Sequence, residues 1–301
     1  MLEKTTQEQI RELKEKKNAA VLAHNYQPAE IQAIADRLGD SLELAKAARK
    51  IQAKIIVFCG VDFMAETVKI LNPEKRVLVP DPGATCPLAG MVDLRELELL
   101  KQKNPGAAVV SYVNTTARTK AQSDICCTSA NAVKVVKSLP QKKIIFVPDK
   151  NLGQWIKRQV RDKEIVLWQG YCYVHKRLIT LEKVRKMKAL HPDAVLMAHP
   201  ECDPEVLELA DEVLSTGGMI RFAIKNRANE FIVATEEGIC SRLRKETKLF
   251  YEFSNAICTD MKKNTLEKLL ECLRDEKNEV LIEQDLLEKA KAPIERMMKI
   301  S

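Results

Sequence analysis

Residues 79–89 read Val-Pro-Asp-Pro-Gly-Ala-Thr-Cys-Pro-Leu-Ala, and they place Cys86 in a tight Pro/Gly turn just after the apolar run Val77-Leu78-Val79. Cys172 stands in a similar place after Ile165-Val166-Leu167-Trp168, and Cys258 after Leu249-Phe250-Tyr251. The three cysteines are 86 residues apart in both steps. This reads as three copies of one unit, arranged so that three thiols meet.

Other landmarks keep nearly the same offset, which makes a chance alignment hard to sustain. Each copy opens on a short apolar run that ends abruptly in polar residues. The first run, Ala19–Ala23, ends in His24-Asn25-Tyr26. The second, Ala107–Ser111, ends in Tyr112-Val113-Asn114, and the third, Ala194–Ala198, ends in His199-Pro200-Glu201. Runs of this kind suit strands buried on both faces of a parallel sheet. Helices are expected next over 28–38, 116–125 and 204–214, each with a late aspartate (Asp36, Asp124, Asp211). Hydroxyl-bearing turns follow, with Ser41, Ser129 and Thr216 spaced 88 and 87 residues apart and read as helix N-caps. Second apolar runs come at 55–58, 144–147 and 231–234, and helical patterns after each cysteine at 94–102, 181–190 and 266–273. Alternating strand and helix is the α/β signature. The expected fold is three similar three-layer α/β/α domains around a pseudo-threefold axis, covering residues 1–86, 87–172 and 173–259. Residues 260–301 are expected to pack back on the first copy, with the helix 284–299 interrupted at Pro293.

Composition sets outer bounds. A chain of 301 residues with 46% hydrophobic and 30% charged residues is of ordinary globular make-up. It has no apolar run of membrane-spanning length and no apolar core in its first residues, so neither a membrane span nor a secretory signal is expected, and the expected location is the cytoplasm. The net charge of +7 is spread along the chain, and aromatics make up only 5%, which argues against a nucleic-acid surface. A modest positive excess suits anionic small substrates. Nine cysteines in a cytosolic chain point to metal or redox use of some rather than to a disulfide framework.

In open parallel sheets, ligand groups gather beyond the carboxyl ends of the strands, where the three polar triplets sit. Three converging thiols suit zinc or an iron–sulfur cluster. Structural zinc usually draws four ligands from close pairs, and no C-x-x-C pair occurs here. A [4Fe–4S] cube with three cysteine ligands leaves one iron open as a Lewis acid. The other cysteines read otherwise: Cys59 and Cys240 as core, Cys126-Cys127 as a vicinal pair at a helix end, Cys272 on a helix face, and Cys202 near the cavity. His175 is expected to line the cavity or brace a cluster loop, and His191 to lie on the surface. Tyr26, Glu201, His199 and Tyr112 are the catalytic candidates.

The motifs LAHNYQ (22–27), GDS (39–41), GVDFMAE (60–66), KILNP (69–73), ATCP (84–87), YVN (112–114), TSANA (128–132), AHPEC (198–202), STGGM (215–219) and MKKNTLE (261–267) together resemble quinolinate synthase over nearly the whole chain. The resemblance implies a transferase/dehydratase-type condensing enzyme of NAD biosynthesis. It would join iminoaspartate to dihydroxyacetone phosphate and release quinolinate, phosphate and water. It implies an oxygen-sensitive [4Fe–4S] cluster on Cys86, Cys172 and Cys258. Substrate binding falls to His24, Ser41, Tyr112, Val113, Asn114, Ser129, His199, Pro200, Glu201 and Thr216, with Tyr26 and Glu201 in acid/base roles. L-aspartate oxidase or aspartate dehydrogenase would supply the imine. Two departures stand out: tyrosines flank Cys172 at Tyr171 and Tyr173, and the C-terminal C-x-x-C of some members is missing. Diphthamide-synthesis radical enzymes and trilobed isoprenoid diphosphate reductases also gather three distant cysteines on one cube. The His-Asn-Tyr and His-Pro-Glu triplets weigh against both.

Overall fold

The computed structural model describes residues 4–300. The chain runs α1 (Thr6–Lys16), β1 (Ala19–His24), α2 (Ala29–Ile34), β2 (Arg37–Gly39), α3 (Ser41–Lys50), β3 (Ile55–Cys59), α4 (Asp62–Leu71) and β4 (Arg76–Leu78). It continues through α5 (Leu94–Lys103), β5 (Ala108–Tyr112), α6 (Ala117–Ala121), β6 (Ile125–Cys127), α7 (Ala132–Ser138), β7 (Lys143–Val147), α8 (Lys150–Gln159) and β8 (Glu164–Leu167). Then come α9 (Leu181–Leu190), β9 (Val195–Ala198), α10 (Pro204–Leu209), β10 (Glu212–Val213), α11 (Thr216–Lys225), β11 (Glu230–Ala234), α12 (Ile239–Leu243) and β12 (Leu249–Glu252). Two helices close the chain, α13 (Leu266–Asp275) and α14 (Gln284–Ile300).

Three parallel four-stranded sheets result, in the orders β2-β1-β3-β4, β6-β5-β7-β8 and β10-β9-β11-β12. The same order three times over is what a triplicated α/β unit requires. Val21, Leu22 and Ala23 of β1 have no exposed surface, as do Ile144, Ile145, Phe146 and Val147 of β7, because helices cover both faces. Among the described residues, no helix is long and apolar enough to cross a membrane.

The second strand of each lobe begins inside a stretch expected to be helical. α2, α6 and α10 end early, and β2, β6 and β10 begin within four residues. These strands are only two or three residues long, too short for a period-2 pattern to show. The repeated aspartates explain the switch. Asp36 N–H donates to the Val21 carbonyl at 2.8 Å, and its carboxylate accepts from Val21 N–H at 2.7 Å. Asp124 makes the same pair with Val109 (2.9 and 2.7 Å), and Asp211 with Leu196 (3.0 and 2.8 Å). Each aspartate thus docks the incoming edge strand onto the central one.

Two further expectations are corrected. α14 runs unbroken through Pro293, and its buried face of Leu287, Ala290, Ile294 and Met297 outweighs the ~3 kcal/mol cost of an interior proline. It packs on α6 and β6 of the second lobe as well as on α4 of the first, while α13 packs on α1 and β3. Cys126 and Cys127 lie in strand β6 rather than at a helix end.

Candidate active site

Each lobe sends its cysteine forward from the loop after the sheet's fourth strand. Cys86, Cys172 and Cys258 all line one central cavity of ≈ 670 Å³, counting the space open to solvent at its mouth. His24, Tyr26, Ser41, Tyr112, Asn114, Ser129, His199, Glu201 and Thr216 share that lining, with His175, Asp40 and Glu236. Val113 lies outside it, buried under Ser41 beside Phe63 and Met64, and Pro200 forms the turn that lets Cys202 N–H reach the His199 carbonyl at 2.9 Å. Cys202 is itself packed in the third lobe's core, its thiol 3.5 Å from the Ala234 carbonyl. Cys59, Cys240 and Cys272 are buried, and His191 stacks on Tyr251 with ring centroids 3.4 Å apart.

The hydroxyls at the helix starts do not cap. Asp40 caps α3, accepting from Leu42 and Glu43 N–H at 3.1 and 2.9 Å, and Ser215 caps α11 through Gly218 N–H at 3.2 Å. Ser41 and Thr216 are therefore the first helical residues. Ser129 precedes Asn131, the residue flanking α7, and its hydroxyl stands 3.3 Å from His199 Nε2. Released from capping, these hydroxyls stand at the positive ends of helices, facing the cavity.

The deepest wall is a chain of hydrogen-bonding groups. Tyr26 Oη lies 2.5 Å from Thr235 Oγ1, which lies 2.8 Å from His175 Nε2. His175 Nδ1 lies 2.8 Å from Glu201 Oε2 and 3.2 Å from Cys172 Sγ. Burial, reinforced by the Glu201 charge, raises the Tyr26 and Tyr112 phenols well above their ordinary range, so both stay protonated donors. Burial brings His24 and His199 down to about 3, keeping both imidazoles neutral. Burial alone would push Glu201 up, yet His199 and His175 together hold it below the usual carboxylate range. The hydrogen bond from His175 acts in the same direction, and Glu201 is an ionised group of the cavity.

Thr235 and the bridging place of His175 were not read from the sequence. The signal for Thr235 was its position after β11, matching the polar residues that end the other strands.

Of the buried side-chain oxygens without a hydrogen-bond partner among the described residues, Glu201 Oε1 and Asn114 Oδ1 belong to residues that line the cavity. Orphaned acceptors beside a cavity are what a missing ligand leaves behind. The three thiols carry the same message. Burial raises Cys86, Cys172 and Cys258, and each would be a neutral thiol with no cation at hand. A thiol donor from each lobe, dehydrated and facing one space, fits a thiolate-ligated metal group that supplies the compensating charge. Cys172, His175 and Glu201 also bring their donor atoms within 4.8 Å of one another, a mixed set able to hold a single ion.

The comparisons with known proteins agree with this geometry. The family model described as Quinolinate synthetase A protein matches residues 8–299. A protein of Thermodesulfovibrio yellowstonii named quinolinate synthase is 50% identical over 296 residues, covering 97% of each chain. One of Dehalococcoides mccartyi with the same name is 51% identical over 294 residues, again 97% of each. The Aquifex aeolicus quinolinate synthase is 46% identical over 306 residues, covering 99% of this chain and 95% of its own. With three matching sheets, three thiols on one cavity and a match running almost end to end, the chain belongs to the quinolinate synthetase A family.

Proposed function

We propose that the chain is a quinolinate synthase of de novo NAD biosynthesis, condensing iminoaspartate with dihydroxyacetone phosphate to quinolinate, phosphate and water. The observation that carries this is the convergence of one half-buried thiol per lobe on a cavity that also holds Tyr26, Glu201 and the hydroxyls of Ser41, Ser129 and Thr216. Cys86, Cys172 and Cys258 would hold a [4Fe–4S] cluster. When bound, it supplies an iron with an open position, a Lewis acid toward a hydroxyl, carbonyl or carboxylate oxygen.

The chain's own residues do the rest. Ser41, Ser129 and Thr216, with the helix N-termini behind them, bind phosphate and carboxylate oxygens. His24 and His199, kept neutral by burial, and Asn114 hydrogen-bond substrate without adding charge. Glu201 is the general base, and the Tyr26 and Tyr112 phenols donate protons or hydrogen bonds to oxygens that gain charge. Val113 and Pro200 shape the wall through their backbone. The imine comes from an aspartate-oxidising enzyme, L-aspartate oxidase or aspartate dehydrogenase, and the reaction runs in the cytoplasm.

The test is anaerobic reconstitution followed by an assay for quinolinate from the two substrates. Wild type should hold about four irons, with a broad absorption shoulder near ~400 nm. Serine at Cys86, Cys172 or Cys258 should abolish the cluster, whereas Cys272→Ser should not. Zinc in place of iron, or equal loss from all four variants, would remove this assignment.

A further inference from the structure

Each cluster-loop cysteine has an acidic partner on the sheet behind it. Asp62, Asp149 and Glu236 follow the third strands β3, β7 and β11, and they are 87 residues apart in both steps. Asp62 Oδ1 accepts Cys86 N–H at 3.2 Å, Asp149 Oδ2 accepts Cys172 N–H at 3.2 Å, and Glu236 Oε1 accepts Cys258 N–H at 3.1 Å. A second bond runs the other way in every lobe. The carbonyl two residues before the cysteine accepts an N–H from the start of the facing segment. Asp62 N–H reaches Ala84, Lys150 N–H reaches Gly170, and Glu237 N–H reaches Ala256, at 2.9, 2.9 and 3.1 Å.

Helix capping alone does not account for these acids. Asp149 divides its oxygens, giving Oδ1 to Leu152 N–H in the first turn of α8 at 2.7 Å and Oδ2 to Cys172 N–H. Glu236 gives Oε2 to Gly238 N–H at 2.8 Å and Oε1 to Cys258 N–H, and Oε1 also pairs with Lys262 Nζ at 2.8 Å. Glutamate is a poor cap residue, and a buried carboxylate is costly unless its oxygens are satisfied. Asp149 and Glu236 are almost fully buried, at 1% and 0% exposure. A hydroxyl would cap these helices without that cost, but it would not span to the cysteine.

We propose that Asp62, Asp149 and Glu236 are positioning residues for the cluster loops, one per lobe. Each pins the amide of its cysteine to the carboxyl end of a central strand, so the three sulfurs are set by the sheets and not by loop conformation. The idea rests on the cluster assignment above, and the experiment separates the two. Wild type, Asp62→Asn and Asp149→Ser are reconstituted anaerobically. Iron per chain, visible circular dichroism and the rate of iron transfer to a ferrous chelator are then measured. At position 62 a single oxygen, Oδ1, takes both Phe63 N–H at 2.8 Å and Cys86 N–H at 3.2 Å, so asparagine there keeps the acceptor and should match wild type within about 2-fold. Serine still caps α8 but is too short for the cysteine, and it should lose iron about 10-fold faster, the scale of one hydrogen bond to a charged group. Its visible dichroism should also change. Asp62→Ser repeats the comparison on the half-buried member, where folding is least at risk. Serine variants that hold iron as long as wild type with an unchanged spectrum would overturn the proposal, as would an asparagine variant as leaky as serine. Wild type that takes up no iron would instead overturn the cluster assignment.

Discussion

Thr235 joins two side chains that would otherwise stand apart, the Tyr26 phenol and the His175 imidazole. It presents one oxygen to both, so its hydroxyl fixes the phenol and the ring that holds Glu201. Thr235→Val keeps the shape and removes that oxygen. Turnover should fall by about 10²-fold, the cost of a slightly misplaced catalytic group, while iron content stays at the wild-type level. A second consequence concerns His24 and His199, whose pKa values of about 3 lie below the ~6.5 of an unfolded histidine. Between these values the unfolded chain holds the extra protons, so stability falls as pH drops from ~6.5 toward 3. The slope approaches ~1.4 kcal/mol per pH unit for each group. Urea midpoints of the apoprotein should therefore fall across that window, and His199→Gln should make the decline shallower. An unchanged slope would mean that His199 already titrates normally in the fold.

Among the elements, the aspartates at the edge strands make the clearest case. Asp36→Ala, Asp124→Ala and Asp211→Ala each remove one carboxylate-to-amide bond and should each cost about 1–2 kcal/mol in urea unfolding. Conversion to Asn should recover most of the loss. These residues also show what the sequence could reveal. The central strands announced themselves, because Val21-Leu22-Ala23 and Ile144-Ile145-Phe146-Val147 are apolar runs that only a doubly covered strand buries. The edge strands did not, because Arg37-Leu38-Gly39 is too short and too polar to break a helical pattern. Two helix starts were off by one residue and the third, at Asn131 instead of Ser129, by two, since neighbours such as Asp40 and Ser41 are both good caps and only the backbone decides which one serves. The cysteines were legible through their constant spacing. Asp62, Asp149 and Glu236 shared an equally regular spacing, but an acid after a strand reads as a helix start, and only the fold shows what its second oxygen holds.

At the scale of the molecule, polar bonds between lobes surround the cavity. Asn25 Nδ2 donates to Thr216 Oγ1 at 3.2 Å, and Ser215 Oγ to Asp40 at 3.2 Å. Tyr173, beside Cys172, accepts Thr259 N–H at 2.9 Å, next to Cys258. Between the first two lobes Glu66 accepts Ala117 N–H at 2.8 Å, and the rest of the joint is mainly apolar, with α14 lying across α4, α6 and β6. A chain ending before Gln284 would lose Leu287, Ala290, Ile294 and Met297 and uncover the faces of α4, α6 and β6 that they cover, a burial worth roughly 5 kcal/mol or more at ~1.5–3 kcal/mol for each large side chain. Such a chain should melt at lower temperature and bind a dye for exposed apolar surface. A full-length melting curve from it would contradict the bridging place of α14. The same arrangement bears on synthesis at the ribosome. A nascent chain that has delivered Cys86 and Cys172 still lacks the third sulfur, and the helix that seals the first two lobes follows it in the sequence. The three thiols therefore cannot face one another until residue 258 has left the exit tunnel, so no pair of lobes made earlier carries the full donor set.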